Sequence, residues 1–328
     1  MNLAAIIIAS CYKNYLPGEY YMKIVVIGGT GAMGSIYGGH LSLNNEVYLL
    51  GRNQELVDQI NAQGVTLQEN GADVVYHPHA VTSSKDLGQA DLVILFVKAL
   101  ASESSLNANK SVIGPDTYLM TLQNGSGHED VLEKFAPINH VIIGTTEDNG
   151  AVLEPGHIRH GGEGKTNIGL LVDDTTGILP KLKENFDSCG FKTTVHENIQ
   201  QLIWDKLFTN VSLSALTGVL QVPMGFIAGN EHAWNITKKL IHEAVEVAHA
   251  MNLKADEEEI CAKVKATSEN SPQGITSICA DLAKGRRTEV NTISGSVVRA
   301  AKKVGVSVPT HETIVELIKA MEDKAEQS

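Results

Sequence analysis

The sequence predicts an α/β domain followed by an all-α domain. From Met22 to about Thr194, short apolar segments rich in β-branched residues alternate with helical segments, which is typical of a parallel sheet. After Glu197 the strand signals stop and only helical apolar spacing follows. A chain of 328 residues also exceeds the usual size of one domain. We therefore place the α/β domain at residues 22–196 and the helical domain at residues 197–328.

The first strand and the turn after it carry a dinucleotide-binding fingerprint. The apolar run 23–28 leads directly into the spacing Gly-x-Gly-x-x-Gly, and a second strand follows at 46–50. In this motif the glycines allow a tight turn, a close approach of the backbone to a pyrophosphate, and close packing of helix on strand. The helix N-terminus then binds the phosphates. We expect cofactor contacts from Gly29, Thr30, Gly31, Ala32, Met33 and Gly34.

The end of the second strand favours NADP(H) over NAD(H). An NAD site usually has Asp or Glu there, to accept hydrogen bonds from the ribose 2′-hydroxyl. This chain has Gly51-Arg52-Asn53 instead. Arg52 offers a permanently charged planar fork that suits a 2′-phosphate. An exposed loop arginine is the alternative, and the nearby Glu55 keeps it open.

Polar residues follow two later strands of the predicted sheet. Lys98 ends the run 91–97, and Asn124 follows Gln123 at the end of the run 117–122. Ligands of open α/β sheets bind at the carboxyl ends of the strands, so Lys98 and Asn124 are candidates for cofactor and substrate contacts. Such residues are also ordinary in turns, and each alone is a weak signal.

The second half predicts a series of helices, the first of which carries Lys206. A buried Lys with Asn210 nearby, facing a nicotinamide, would be a plausible proton donor to a carbonyl; a surface lysine is the alternative. Hairpin elements are predicted around Gly150 and at 156–162, before a short strand at 166–169. The helices are predicted at 199–211, 234–251, 256–265, 275–283 and 290–304, with a last one capped by Thr310.

Composition excludes several classes of protein. A net charge of −12 argues against a nucleic-acid surface, and 43% hydrophobic with 20% charged residues is typical of a globular enzyme, which we expect in the cytoplasm. The cysteines at 11, 189, 261 and 279 have no metal or redox spacing, so we expect free thiols. The pairs His77/His79 and His157/His160 lack an acidic partner at metal spacing, so we expect no metal.

Residues 1–21 form an apolar leader before the first strand. Its apolar stretch is far shorter than a membrane span and has no preceding basic residue, so it is a poor signal peptide. We expect a disordered tail, or a true translation start at Met22.

Several separated motifs together resemble the ketopantoate reductase family (2-dehydropantoate 2-reductases), from Met22 to the last helix. Their order and spacing are specific, although each motif alone is not. The motifs are Gly29-x-Gly31-Ala32-Met33-Gly34; Val97-Lys98-Ala99; Gln123-Asn124-Gly125; Gly161-Gly162 before Ile168-Gly169; Trp204-x-Lys206-Leu207-x-x-Asn210; Ala215-Leu216-Thr217; and Asp281 with Arg287-Thr288-Glu289-Val290 ahead of Ile293-x-Gly295.

The resemblance implies a fold and residue roles. It implies a Rossmann-type N-terminal domain that binds NADP, and a C-terminal substrate and dimerisation domain like that of 6-phosphogluconate dehydrogenase, with the active site in the cleft between them. Lys206 would protonate the C2 carbonyl oxygen, and Glu289 would bind near the nicotinamide ribose and the substrate hydroxyl. Lys98 and Asn124 would line the site, and Asn210, Ser214 and Ser277 would contact the substrate, Ser277 through its carboxylate.

The implied activity is NADPH-dependent reduction of ketopantoate to (R)-pantoate, in pantothenate and coenzyme A biosynthesis. Two asparagines usual around the pantoate hydroxyls are replaced here by Ser214 and Met224, and a further polar position is Gly274. These departures favour an alternative, a broader D-2-hydroxyacid dehydrogenase for branched or aromatic 2-keto acids. A non-catalytic NADP-sensing protein would be expected to lack Lys206 or Glu289, and both are present. The expected partner is a small 2-keto acid, without nucleic acid or membrane, and a homodimer stays open.

Overall fold

Two compact units make up the protein. The computed structural model describes residues 21–162 and 164–327, so the predicted leader lies outside the described residues apart from Tyr21. The first unit runs to Gln123 and resumes at Glu129–Ile199. The second contains the chain from Gln200 onward together with Asn124–His128. This short segment interrupts the range that the sequence pattern assigns to the first domain.

The first unit is built on an eight-stranded sheet in the order β12-β11-β8-β7-β6-β1-β2-β5. Neighbouring strands are parallel except β8 and β11, which are antiparallel. The strands of this sheet are β1 (Lys23–Ile27), β2 (Glu46–Leu50), β5 (His79–Val81), β6 (Leu92–Leu95), β7 (Tyr118–Thr121), β8 (Val141–Thr146), β11 (Lys165–Leu170) and β12 (Lys192–Val195).

The central strands β1, β6 and β7 are buried except at the first residues of β1 and β7, as their continuous apolar runs predict. In the register of the sheet, Val26 lies between Leu49 and Ile94, and all three are fully buried. The helices of this unit are α1 (Ala32–Leu41), α2 (Gln54–Gln63), α3 (Ser102–Ala108), α4 (Glu129–Leu132) and α5 (Ile178–Ser188). The predicted Rossmann-type α/β domain is therefore confirmed.

A second sheet of four strands has the order β4-β3-β10-β9. The predicted hairpin is confirmed as β9 (Asn149–Glu154) and β10 (His157–Gly161), which pair antiparallel. The hairpin of β3 (Val65–Glu69) and β4 (Ala72–Tyr76) is absent from our sequence analysis, although its signal is readable. Asn70 and Gly71 have φ of 49° and 80°, which is the left-handed pair that a two-residue hairpin turn requires.

The second unit is helical, as predicted. Among the described residues, no helix combines the length and apolarity needed to cross a bilayer. The helices are α6 (Ile199–Leu220), α7 (Gly225–Gly229), α8 (Glu231–Ala250), α9 (Glu257–Asn270), α10 (Ser277–Ala283), α11 (Ser294–Val304) and α12 (Pro309–Glu326).

Several predicted helix starts differ from the observed ones, and two of the differences have a clear physical cause. The helix predicted from Val290 begins only at Ser294, because Ile293 has non-helical torsions (φ −99°, ψ −100°). Thr310 does not cap the last helix, which begins one residue earlier with proline in its first turn. The buried carboxylate of Glu243 on α8 accepts hydrogen bonds from the N–H groups of Thr310 (2.8 Å) and His311 (3.0 Å), so α12 is capped from outside.

Close packing at the first βα turn requires glycine at position 34. A Cβ atom on Gly34 would lie 2.4 Å from the carbonyl oxygen of Gly28 and 2.6 Å from the Cα of Gly29, and both are backbone atoms that cannot rotate away. At Gly31 the same atom would meet only Gly28 O, at 3.3 Å, and the torsions there (φ −81°, ψ 173°) suit any residue.

We therefore expect Gly34→Ala to lower the free energy of unfolding by about 1–3 kcal/mol, because overpacking against backbone outweighs the gain in helix propensity. Gly31→Ala is the matched control and should change stability little. Urea unfolding followed by circular dichroism measures both variants. Equal midpoints for the two would contradict the packing argument.

Candidate active site

The N-terminus of α1 is open towards an anion. Gly31 is the exposed N-cap of α1 and makes no capping hydrogen bond, and no acidic residue lies in the first turn. The first-turn N–H groups have no partner inside the helix, and the helix dipole makes this end positive. The predicted residues Gly29–Gly34 thus form a turn that fits a pyrophosphate.

Arg52 lies beside this turn. A Cβ atom on Gly51 would be 2.4 Å from Cγ2 of Thr30, so the end of β2 packs directly against the Gly-rich turn. The side chain of Arg52 is exposed, and it has no ion-pair partner among the described residues. Asn53 is occupied as the cap of α2, where its side chain accepts from Leu56 N at 3.2 Å. The guanidinium is therefore available to an anionic ligand.

Gln123 fixes the turn that carries Lys98. Its side-chain amide donates to Val97 O (2.5 Å) and to Ser102 Oγ (3.1 Å), and its carbonyl oxygen accepts from Thr121 Oγ1 (2.8 Å). These bonds tie the end of β7 to the end of β6, as expected for neighbouring parallel strands. Lys98 lies exposed at this edge. The first unit therefore gathers the predicted cofactor residues Gly29–Gly34, Arg52 and Lys98 at the carboxyl edge of its sheet.

The second unit brings Lys206 to Asn124. Lys206 Nζ donates to Asn124 Oδ1 at 3.0 Å, although 82 positions separate the two residues. Lys206, Asn210 and Ser214 follow each other at intervals of four on α6, so they share one face of the helix. Along this face the side chains pass from exposed at Lys206, through half-buried at Asn210, to buried at Ser214.

Of the two alternatives for position 206, a buried lysine and a surface lysine, the structure has the exposed side chain. The core of the second unit receives Trp204, Leu207, Phe208 and Val211 from α6, and position 206 falls outside that apolar stripe. The ammonium of Lys206 is exposed to water instead. It is therefore held in place by its hydrogen bond to Asn124 rather than by a buried pocket.

Glycine at position 125 allows the backbone to bring Asn124 within hydrogen-bonding distance of Lys206. Gly125 has φ of +97°, and a Cβ atom there would lie 2.2 Å from Thr292 O. Ser126 N donates to the same carbonyl at 2.9 Å. His128 Nε2 lies 2.9 Å from Asn124 O, and burial lowers the pKa of His128, so a neutral ring donates to that carbonyl near neutral pH.

Glu289 lies three residues before Thr292, in a turn that is tied to α12. Glu289 O accepts from Thr292 N (3.0 Å) and Ile293 N (3.1 Å). The preceding residue, Thr288, donates through its N–H and its hydroxyl to Glu322 Oε1, both at 2.7 Å, and Glu322 is buried. Arg287 adds ion pairs to the same helix, at Glu322 (3.3 Å) and Glu326 (2.7 Å). The backbone that carries the half-buried Glu289 is therefore fixed by contacts with α12.

Ser277 is exposed at the start of α10. Its neighbour Thr276 caps that helix by accepting from Cys279 N, and its Oγ1 lies 2.7 Å from Thr217 Oγ1 on α6. This hydroxyl pair joins the Ser277 turn to the face of α6 that carries Ser214. Our sequence analysis missed Thr276, although a threonine before an apolar helical run is a readable N-cap signal.

Met224 and Gly274, the two apolar departures from the family pattern, are direct neighbours. Met224 N donates to Gly274 O at 2.9 Å, and a Cβ atom on Gly274 would lie 2.3 Å from the Met224 methyl carbon. The thioether therefore covers the position where a side chain at 274 would stand. This edge of the second unit presents fewer polar groups than the family pattern has.

Comparison with known proteins gives one family for both halves of the chain. The family model "Ketopantoate reductase PanE/ApbA" matches residues 25–173, and its C-terminal counterpart matches residues 198–322. The 2-dehydropantoate 2-reductase of Pyrococcus horikoshii is 32% identical over 92% of this chain and 98% of its own length. That of Halobacterium salinarum is 30% identical over 90% of this chain and 97% of its own length.

Solved structures match over nearly the whole chain as well. D-mandelate dehydrogenase, in a ternary structure with NADH and anilino(oxo)acetate, has a TM-score of 0.79 and 32% identity over 92% of this chain and 99% of its own. A PanE/ApbA family ketopantoate reductase from Ralstonia eutropha has a TM-score of 0.80 and 28% identity over 92% of this chain and 99% of its own. With both halves matched and the predicted residues gathered in each unit, the chain belongs to the ketopantoate reductase family and is an oxidoreductase.

Proposed function

We propose that this protein reduces ketopantoate to (R)-pantoate with NADPH, as a cytoplasmic enzyme of pantothenate and coenzyme A biosynthesis. The observation that carries the proposal is the Lys206–Asn124 pair at 3.0 Å, on the helix face that also carries Asn210 and Ser214. This helix face supplies an ammonium group from Lys206 and neutral hydrogen-bonding groups from Asn210 and Ser214. Reduction of a 2-keto acid needs a proton donor for the carbonyl oxygen and hydrogen-bonding groups for the rest of the substrate. The 2-dehydropantoate 2-reductases that are about 30% identical over almost the full chain support it.

The bound nicotinamide would supply a hydride to C2 of the keto acid. Lys206 would supply the proton to the carbonyl oxygen, which yields the 2-hydroxy acid and leaves the oxidised cofactor and a neutral amine. Asn124 Oδ1 accepts a hydrogen bond from Lys206 Nζ and so orients the remaining N–H groups. Asn210 would hydrogen-bond the substrate and Ser277 would bind its carboxylate. Glu289 would bind near the nicotinamide ribose and the substrate hydroxyl.

The cofactor proposal rests on the first unit. The uncapped N-terminus of α1 fits the pyrophosphate, and the exposed Arg52, adjacent to the Gly-rich turn, fits the 2′-phosphate of NADP. The expected acidic partner of an NAD ribose is absent from the end of β2, where Gly51 and Arg52 stand.

A second candidate function is a D-2-hydroxyacid dehydrogenase of broader scope. Met224 and Gly274 favour it, because the contact between them leaves an apolar edge where the family pattern has polar side chains. The 32% identity to D-mandelate dehydrogenase over 92% of this chain also favours it. The proton donor and the carboxylate contact would be shared by both functions, so substrate preference separates them.

We expect Lys206→Ala to lower kcat and kcat/KM together by about 10²–10⁴-fold in NADPH oxidation with ketopantoate, because the lost contact acts in the transition state. NADPH binding and the melting temperature should stay unchanged, since Lys206 is exposed. Lys239→Ala, an exposed lysine on α8, is the matched control. A Lys206→Ala enzyme with near-normal kcat would rule out this proton donor.

Arg52→Ala should raise KM for NADPH by roughly 10- to 150-fold and leave KM for NADH nearly unchanged, because a charged hydrogen bond to the 2′-phosphate is lost. Arg159→Ala removes the same charge from an exposed site on β10 and serves as the control. Steady-state kinetics with both cofactors measure the effect. A wild-type enzyme that uses NADH better than NADPH would overturn the assignment of Arg52.

The apolar edge at Met224 and Gly274 should discriminate weakly between ketopantoate and ketoisovalerate, which lacks the hydroxymethyl group of ketopantoate. We expect a ratio of kcat/KM of about 10–200, typical of an apolar pocket, at fixed NADPH. Met224→Asn, which restores an amide near Gly274, should raise the ratio by improving the reaction with ketopantoate. A wild-type preference above roughly 10⁴-fold would instead indicate that other residues satisfy the far hydroxyl, as in a dedicated pantoate enzyme.

A further inference from the structure

Four residues of the first unit, far apart in the sequence, converge away from the Gly-rich turn. They are His40 in the last turn of α1, Glu69 at the end of β3, Asp148 before β9 and His160 on β10. Glu69 Oε1 lies 2.6 Å from His40 Nε2 and 2.5 Å from His160 Nδ1. The two histidines and Glu69 offer ligand atoms that all lie within 4.8 Å of one another. The proposed reduction uses none of these side chains.

The outer contacts of both rings fix where their protons are. His40 Nδ1 lies 3.1 Å from the carbonyl oxygen of Cys189, which can only accept, so Nδ1 carries a proton. His160 Nε2 lies 3.2 Å from Asp148 Oδ1, and a proton on Nε2 makes this contact favourable even without ideal hydrogen-bond alignment. In neutral rings, His40 Nε2 and His160 Nδ1 then present lone pairs. Both lone pairs point at the same carboxylate oxygen of Glu69, which is also an acceptor.

The lone pairs of His40 Nε2, His160 Nδ1 and Glu69 Oε1 would repel one another at these distances. A positive charge between the three groups is therefore required. A proton on an inward-facing ring nitrogen can supply it. A divalent cation can supply it equally, and the outer contacts match those of metal sites. Ligating histidines typically donate their other N–H to a carbonyl or a carboxylate; His40 Nδ1 faces the Cys189 carbonyl, and His160 Nε2 lies 3.2 Å from Asp148 Oδ1. Ligating carboxylates are hydrogen-bonded too, and Tyr76 donates to Glu69 Oε2 at 3.0 Å.

The surroundings of the cluster would let such an ion enter, offer space for it, and provide an electrostatic field that favours a cation. A cavity of about 310 Å³ is lined by His40, Glu69 and His160. It can admit a water molecule as a fourth ligand. His40 lies at the C-terminal end of α1, where the helix dipole favours a cation. Two ligand atoms on a tetrahedral zinc ion stand about 3.4 Å apart, so Glu69 Oε1 would retreat from the rings by about 1 Å on binding.

We propose that His40, Glu69 and His160 form a binding site for a divalent transition metal ion of the zinc class, with Asp148, Tyr76 and the Cys189 carbonyl orienting the ligands. Two imidazoles and a carboxylate suit zinc better than magnesium or calcium, which prefer oxygen ligands. The ion joins α1, β3 and β10, so its role is to cross-link the first unit rather than to take part in catalysis. The expectation from sequence, that no metal binds, considered only histidines close to each other along the chain.

The test is zinc binding to the chelator-treated full-length protein, measured by isothermal titration calorimetry with Zn²⁺ alone and, separately, with Mg²⁺. We expect one saturable Zn²⁺ per chain, a raised melting temperature, and no saturable binding of Mg²⁺. His160→Gln and His40→Gln should each weaken zinc binding by about 100-fold or more, since each removes a direct ligand. His157→Gln is the matched control, because His157 lies on the same strand but pairs with Asp73 at 3.1 Å, outside the cluster.

A cobalt titration of the wild-type protein keeps the proposal testable should a variant fail to fold. Co²⁺ in a four-coordinate site of nitrogen and oxygen ligands gives intense visible absorption bands, and Zn²⁺ should abolish them by competition. Circular dichroism of each variant shows whether it folds. The proposal is overturned if the wild type binds no Zn²⁺ saturably, if folded His160→Gln binds it as wild type does, or if Co²⁺ shows only the weak spectrum of the hydrated ion.

Discussion

The candidate active site depends on the contact between Gly125 and the carbonyl of Thr292. This contact leaves no room for a Cβ atom, and Ser126 N donates to the same oxygen, so the segment is fixed against the second unit through its backbone. Asn124 directly precedes Gly125, and Glu289 lies three residues before Thr292, so the contact lies between these two predicted site residues. The same constraint interrupts the helix predicted from Val290, because the Thr292 carbonyl accepts from Ser126 instead of continuing a helical ladder. A local break in regular structure is therefore what positions the site.

Sequence patterns predict elements well where one local rule decides. The apolar runs of the sheet and the Gly-rich turn follow from neighbours a few residues away. The exposure of Lys206 does not, because it depends on which face of α6 meets the core. The transfer of Asn124–His128 to the second unit, the cap from Glu243 and the cluster around Glu69 are likewise formed by residues tens of positions apart. No periodicity or short motif records such contacts.

The two candidate activities differ in a small part of the molecule. A carbonyl, an adjacent carboxylate and a proton donor are common to all 2-keto acids, so Lys206, Asn124 and the Ser277 turn need not change between them. What changes is the solvation of the distant end of the substrate, which the Met224–Gly274 edge would govern. Apolar edges distinguish substrates by modest factors, whereas buried polar groups reject ligands that leave them unpaired. A few substitutions at such an edge can therefore redirect a scaffold while its chemistry stays the same.

The last helix, α12, also sets an order of events during synthesis of the chain. The carboxylate of Glu243 caps the start of α12. Near the end of α12, the carboxylate of Glu322 accepts hydrogen bonds from Thr288, next to Glu289. Until residues beyond 310 have left the ribosome, the turn that carries Glu289 lacks the hydrogen bonds from Thr288 to Glu322. The carboxylate of Glu243 on α8 likewise has no helix N-terminus to cap. A nascent chain can thus complete its nucleotide-binding unit well before Glu289 acquires its final backbone geometry.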